Sequence, residues 1–271
     1  MIRGYLLFAQ DTEQACYSRL ATACALSIKI TQPAEYAKVS VVTNNPDYFD
    51  PDLFDQIIPS NTLVGMDARS RAYDLSPYEQ TVLLDSDMLF LKPVDHYWPI
   101  LETLDLFVAS GPQTYQQKPI VGRYYREIFD TYKLPDIYSA WTYFKKSATA
   151  ARFFEQVKLM TDNPLAFIDV LMPNSYLTTL PTDEAFALAL SILELEDHAV
   201  FPEWRFPQIT HMKSMVQGWT IPPSDWNDRL RFTINNSGQV KLGVWAQTDI
   251  LHYVKKDIIT DDVIRTLRAA I

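Results

Sequence analysis

Thr81-Val82-Leu83-Leu84-Asp85-Ser86-Asp87-Met88-Leu89-Phe90-Leu91 is the stretch from which the rest of the chain is best read. An apolar run enters, two carboxylates flank one serine, and a second apolar run leaves. Thr81 to Leu84 combine β-branched and bulky residues and stop at a polar break, the pattern of a short buried strand. At its end Asp85 and Asp87 bring two negative charges together, and mutual repulsion raises carboxylate pKa values. A divalent cation relieves that repulsion. Carboxylates with positions left open for substrate phosphates are the usual setting for Mg²⁺ or Mn²⁺. The same residues also suit a polar turn between strands, with aspartate accepting from nearby backbone. The triplet alone leaves both readings open.

Upstream, Gly4 to Ala9 reads as a first strand ending at Gln10-Asp11-Thr12. Asp11 with Gln14 resembles a capping box. The segment that follows, to about Ile30, places Cys16, Leu20, Cys24 and Ile28 at helical spacing. Val39 to Thr43 is a second strand, closed by Asn44-Asn45-Pro46, and Phe54 to Ile58 a third, closed by Pro59. This rhythm predicts an α/β protein with a mostly parallel sheet flanked by helices. In such sheets ligands bind beyond the carboxyl ends of the strands. Asp11, Asn44, Asp85 and Asp87 all fall at such ends, so they are expected to converge. Arg69 and Arg71 form a small basic cluster just ahead of the acidic triplet. Arginine suits bidentate contact with a diphosphate, and a solvated helix face is the plainer reading.

Downstream, Lys92-Pro93 turns the chain, Asp105 to Ala109 and Tyr138 to Phe144 read as strands, and helices are predicted over Gly122 to Tyr132 and Ala148 to Met160. Thr182-Asp183-Glu184 opens another helix, and its acidic first turn suits the helix dipole. That capping role can coexist with a catalytic one. Beyond residue 200 the chain changes character. Asn235-Asn236-Ser237-Gly238 marks a hairpin between Leu230 to Ile234 and Gln239 to Trp245. Ile250 to Tyr253 is a terminal strand, and Thr260 to Ala269 a last helix.

The 271 residues are 48% hydrophobic and rich in aromatics, enough for a sizeable core and against disorder. A net charge of −9 disfavours nonspecific attraction to polyanions, although a local basic face can survive inside it. Cys16 and Cys24, more than two helical turns apart, are too distant for a disulfide and too few for a zinc site. They read as small core residues of a reducing compartment. The opening apolar run, Tyr5 to Ala9, is too short for a signal sequence, and no stretch reaches membrane-spanning length. A soluble cytoplasmic protein is therefore expected.

The stretch Leu75-Ser76-Pro77-Tyr78-Glu79-Gln80, continuing through the acidic triplet to Lys92-Pro93, resembles the nucleotide-sugar-dependent glycosyltransferases of the GT-A type. It is closest in pattern to the glycogenin-like family 8: a proline-tyrosine turn, an apolar strand, Asp-x-Asp, a second apolar run and a lysine. The resemblance covers residues 1 to about 200, as a divergent member. It implies a Rossmann-like GT-A catalytic domain over 1–271, with a divergent hairpin and helix in 200–271 completing the site and its acceptor side.

The resemblance also implies roles for particular residues. Asp85 and Asp87 would hold Mn²⁺ or Mg²⁺ against the two phosphates of the donor, a UDP-sugar. Asp11 and Tyr17 would face the base and ribose of a UDP-sugar. Arg71, or else Arg69, would contact the donor, together with Ser86, Lys213 and Lys255. Asp183 and Glu184 would stand near the reacting sugar as the catalytic carboxyls. Family 8 closes its metal site with a later histidine, and here either His211 or His252 fits that place. The family's Asn-x-Gly segment is replaced by Tyr138-Ser139-Ala140-Trp141-Thr142. The family implies transfer to an acceptor hydroxyl with retention of configuration.

The acceptor stays open. Trp204, Arg205, His211, Lys213, Trp219, Trp226, Arg229 and Arg231 suit stacking on a glycan or gripping DNA that carries a hydroxymethylated base, and the tryptophans equally suit a core. Two rival functions share the fold and the acidic pair: a sugar nucleotidyltransferase, and a noncatalytic nucleotide-sugar or carbohydrate-binding protein. The nucleotidyltransferases typically open with a glycine-rich phosphate loop, which Phe8 to Glu13 lacks.

Overall fold

A computed structural model describes residues 2–62, 67–120, 123, 126–199, 207–211, 231–235, 238–253 and 255–271. The chain forms strands β1 (Arg3–Ala9), β2 (Val39–Thr43), β3 (Gln56–Pro59), β4 (Gln80–Leu84), β5 (Met88–Leu89), β6 (Leu106–Ser110) and β7 (Ile137–Lys145). Six of them build a central sheet in the order β3-β2-β1-β4-β7-β6. β3, β2, β1 and β4 pair in parallel, while β7 runs antiparallel to both β4 and β6. The mostly parallel sheet expected from the sequence is thus present, with one reversed strand inside it.

Side chains alternate across this sheet as strand geometry requires. From β1, Tyr5 and Leu7 enter a core on one face, and Leu6 enters a second core on the other. β4 divides likewise, Val82 and Leu84 against Leu83. The helix Tyr17–Thr31 covers the first face, and the helices Ala148–Asp162 and Thr182–Ile192 cover the second. Burial on both faces explains why these strands read as near-continuous apolar runs. Each fully buried aliphatic side chain contributes about 1.5–3 kcal/mol.

The proline-tyrosine turn ahead of β4 has a packing role. The buried Tyr78 ring lies over Gly4, where an added Cβ would come within 2.4 Å of the ring, and its hydroxyl is hydrogen-bonded to Ser40 Oγ at 2.7 Å.

The later strands are β8 (Ile209–His211), β9 (Phe232–Ile234), β10 (Val240–Leu242), β11 (Trp245–Ala246) and β12 (Ile250–His252). β9 and β10 form the expected antiparallel hairpin, extended by β11. β12 lies between β5 and β8, antiparallel to the former and parallel to the latter. The last helix, Asp261–Arg268, is capped by Thr260, whose side chain accepts from Val263 N. Among the described residues no helix is long and apolar enough to cross a membrane.

Several local expectations are corrected. Asp11 and Gln14 do not form a capping box, because residues 12 to 15 close a tight turn through reciprocal Thr12 and Ala15 backbone bonds of 3.0 and 3.4 Å. The helix starts only at Tyr17, behind Cys16. The helix predicted from Gly122 is described from Glu127 to Tyr132 and stops at Lys133, whose φ of 54° is left-handed. The helix Pro164–Leu171 was not anticipated. Both cysteines are free thiols; Cys24 is buried, and Cys16 is half-buried at the helix start. Gly122, Trp204, Arg205, Lys213, Trp219, Trp226, Arg229, Asn236 and Ser237 lie outside the described residues.

Candidate functional site

The site grows from the end of β4. Leu84 pairs with Trp141 of β7, and the next residue, Asp85, donates its N–H to the Ala140 carbonyl at 3.1 Å. Ser86 and Asp87 turn the chain away from the sheet, and the Ser86 hydroxyl donates to the Phe8 carbonyl near the end of β1. Met88 then pairs with His252 of β12, while Tyr253 N donates to the Asp87 carbonyl at 3.1 Å. Local pairing on both sides of the triplet therefore fixes where its two carboxylates and the imidazole stand.

Asp85, Asp87 and His252 each offer one ligand atom, and these atoms lie within 4.8 Å of one another. His252 Nε2 is 3.1 Å from Asp87 Oδ1 and 3.8 Å from Asp85 Oδ2. Two carboxylates and one imidazole suit a hard-to-borderline divalent cation, with remaining positions free for oxygen ligands. Burial pushes the Asp87 carboxyl up, but His252 beside it and Lys256 farther off outweigh this and hold it below its ordinary value. Burial pushes His252 down, and the opposing pull of Asp87, Asp85 and Asp183 leaves its pKa raised. The acidic pair is thus already partly compensated by an imidazole.

The three groups open into a cavity of about 410 Å³ at the sheet edge. Asp11, Asn44, Asp85 and Asp87 line it, as expected for strand ends converging on one edge. Tyr17, Ser86 and Arg69 line it as well. Asp11 also has a structural duty. Its carboxylate accepts from Ser18 N and Ser18 Oγ, both at 2.8 Å, and from Asn45 Nδ2 at 3.0 Å, tying the start of the Tyr17–Thr31 helix to the ends of β1 and β2.

Of the two upstream arginines, Arg69 faces the site. It donates to Asp85 Oδ1 and, at 2.6 Å, to the Ser139 carbonyl. Arg71 instead pairs with Asp162 at 3.5 Å, on the Ala148–Asp162 helix. A similar distinction separates two lysines. Lys256 lines the cavity and reaches the Tyr17 hydroxyl, while Lys255 stands 4.0 Å from Asp257. Lys213 lies outside the described residues.

Asp183 is held from two directions. Ser139 N and Oγ donate to Oδ1 at 2.9 and 2.5 Å, and Arg126 donates to Oδ2 at 3.0 Å. It does not cap its helix, where Pro181 occupies the N-cap. Burial, and then the neighbouring Asp183 charge, push the Glu184 carboxyl above its ordinary value. His211 pairs with His252 in the β8–β12 register, its ring 5.4 Å from that of His252. It stands beside the Asp85–Asp87–His252 group without belonging to it.

Sequence reasoning did not single out Arg126, Asn61, Thr12 or Lys256. Lys256 carried a signal, since the Lys255-Lys256 pair follows the terminal strand. Arg126 and Asn61 had none that local pattern reveals.

The mixed α/β architecture, with helices flanking a mostly parallel six-stranded sheet, is a fold found in glycosyltransferases. No protein-family model matches the chain, and no curated protein matches its sequence. Among solved structures, 306 chains are similar. One is the glycosyltransferase GlyE of Streptococcus pneumoniae TIGR4, with a TM-score of 0.50 and 11% identity over 94% of this chain and 55% of that one. At that identity the likeness is one of fold, and this chain spans about half the length of that protein.

Proposed function

We propose that the protein is a metal-dependent glycosyltransferase that moves a sugar from a nucleotide-diphosphate sugar, a UDP-sugar, to an acceptor hydroxyl. The observation that carries this reading is the cavity in which Asp85, Asp87 and His252 converge at the carboxyl edge of the parallel strands. The likeness of fold to a glycosyltransferase supports it.

In glycosyl transfer the bond from the anomeric carbon to a phosphate oxygen breaks, its electron pair stays on the diphosphate, and the acceptor oxygen bonds to carbon as its hydroxyl proton passes to the departing diphosphate. Negative charge therefore grows on the leaving group, where preorganised cationic groups stabilise the transition state. Asp85, Asp87 and His252 would hold Mn²⁺ or Mg²⁺, a Lewis acid for the diphosphate when bound. Arg69 and Lys256, both lining the cavity, add positive charge on the same side. Tyr17, Asn44 and Asn61 offer a ring and amides to the nucleoside. Asp183, held by Ser139 and Arg126 next to the cavity-lining Thr182, would supply a carboxylate to the sugar. Resemblance to family 8 favours retention of configuration. A glycan hydroxyl and a hydroxymethylated DNA base are both acceptors of the right chemistry, and the cytoplasm is the compartment that suits a UDP-sugar donor and free thiols.

The test is titration calorimetry with UDP-sugars and Mn²⁺, followed by product analysis. Metal-dependent nucleotide binding, with slow release of nucleoside diphosphate, is the expected result. Release of pyrophosphate from a nucleoside triphosphate supplied with a sugar 1-phosphate would instead make the protein a nucleotidyltransferase, and absence of metal-dependent nucleotide binding would sink the transferase reading.

A further inference from the structure

The hydroxyl of Tyr138 is hydrogen-bonded to Nδ1 of His252. Both side chains are buried, and the opposite ring nitrogen, Nε2, faces Asp87 and Asp85. An imidazole can turn about its χ angles and exchange its two nitrogens, so a histidine that ligates through one nitrogen needs a partner on the other. Here that partner is a phenol at the start of β7. We propose that Tyr138 is the positioning residue that fixes His252 with Nε2 toward the two carboxylates, ready to ligate a divalent cation. The inference rests on the metal-site reading of Asp85, Asp87 and His252.

A tyrosine suits this place for a physical reason. Asp85, Asp87 and Asp183 all act electrostatically on His252, so a carboxylate partner at Nδ1 would add a further negative charge to a crowded site. A phenol, neutral at pH 7, adds none. A hydroxyl can also donate to a bare Nδ1 or accept from a protonated one, so the same contact serves the imidazole before and after Nε2 takes a ligand. The rings of Tyr138, His211 and His252 meet nearly edge to face, Tyr138 to His211 at 5.5 Å and His211 to His252 at 5.4 Å. His211 thereby walls the imidazole.

The strand that carries Tyr138 also holds other parts of the site. Ser139 binds Asp183 through its N–H and hydroxyl and Arg69 through its carbonyl, and the Ala140 carbonyl accepts from Asp85 N. Tyr138 therefore sits on a rigid frame already tied to two of the site's carboxylates, as orientation of a ligand requires.

Tyr138→Phe removes only the hydroxyl and keeps the ring contacts. Calorimetric titration with Mn²⁺ is expected to show about a 10- to 100-fold weaker affinity than the unaltered protein, with the melting temperature little changed. Equal affinity in the two proteins would overturn the proposal. Failure of the unaltered protein itself to bind Mn²⁺ would overturn the metal reading on which it stands, a separate outcome. A second measurement needs no variant: ¹⁵N spectra of the unaltered protein with diamagnetic Zn²⁺ are expected to place the metal-induced shift on Nε2 of His252 and the proton on Nδ1. A shift on Nδ1 would overturn the assignment.

Discussion

His252 Nε2 stands 3.1 Å from Asp87 Oδ1, and the backbone beside them is joined as well, Tyr253 N donating to the Asp87 carbonyl. The carboxylate is thus held by strand pairing as well as by charge. On the transferase reading, Asp87→Asn should lower turnover by about 1000-fold, the factor that corresponds to several kcal/mol of lost charge stabilisation. Loss of one charged hydrogen bond should cost about 1.5–3 kcal/mol of stability. Steady-state kinetics with urea unfolding checks both. Full turnover in the variant would make the triplet a structural turn.

Lys256 lines the cavity and Lys255 does not. Lys256→Met should weaken nucleoside-diphosphate affinity by about tenfold or more, the scale of one charged hydrogen bond. Lys255→Met should change it by less than a factor of about 2, within the range of a screened surface charge. Calorimetry on the two variants side by side decides, and the reverse ranking would contradict the assignment.

Arg126 and Asp183 should behave as a coupled pair. Arg126 is largely buried, 15% of its side chain exposed, and pairs with Asp136 at 3.3 Å as well as with Asp183. Arg126→Met should cost about 1–3 kcal/mol by leaving a carboxylate without its charged partner. The double variant with Asp183→Asn should be less destabilised than the sum of the singles. Urea unfolding of all four proteins supplies the cycle, and strict additivity would show that the ion pair contributes nothing.

Glu184 gives a pH-dependent expectation. Its folded pKa is raised, so the folded state binds the proton more tightly than the unfolded state does. The ionised group therefore costs stability as pH rises above the ordinary glutamate value of about 4.3. Glu184→Gln should raise the melting temperature at pH 7 to 8, and the gain should fade as pH falls toward that value. Melting curves across this range check the sign, and a gain confined to low pH would contradict it.

Gly4→Ala should destabilise the protein by about 1–3 kcal/mol, the usual cost of overpacking a filled core site, since the added methyl meets the Tyr78 ring at 2.4 Å. Chemical denaturation measures the loss, and adding Tyr78→Leu should recover part of it.

β1, β2, β4 and β7 were legible because strands buried on both faces carry unbroken apolar runs bounded by polar or proline breaks. The Asp85-Ser86-Asp87 turn was legible because two carboxylates at a strand end are chemically conspicuous. What stayed hidden depends on direction. Arg69 and Arg71, or Lys255 and Lys256, look alike in one dimension, yet residues so close along a turn of chain face different sides. His211 and His252 were equally eligible because β8 and β12 pair side by side, and only the register sets which imidazole meets Asp87. The helix Pro164–Leu171 was missed because Asn163-Pro164 reads as a break, whereas proline in the first turn starts this helix.

The insertion of β12 between β5 and β8 has a consequence for the order in which the molecule is made. All six strands of the central sheet precede β8 and β12 in the chain, so they leave the ribosome first, and domains begin to fold during synthesis. Asp85 and Asp87 are therefore synthesised well before the imidazole that joins them. The Asp85–Asp87–His252 group forms only once that later three-residue strand has docked beside β5.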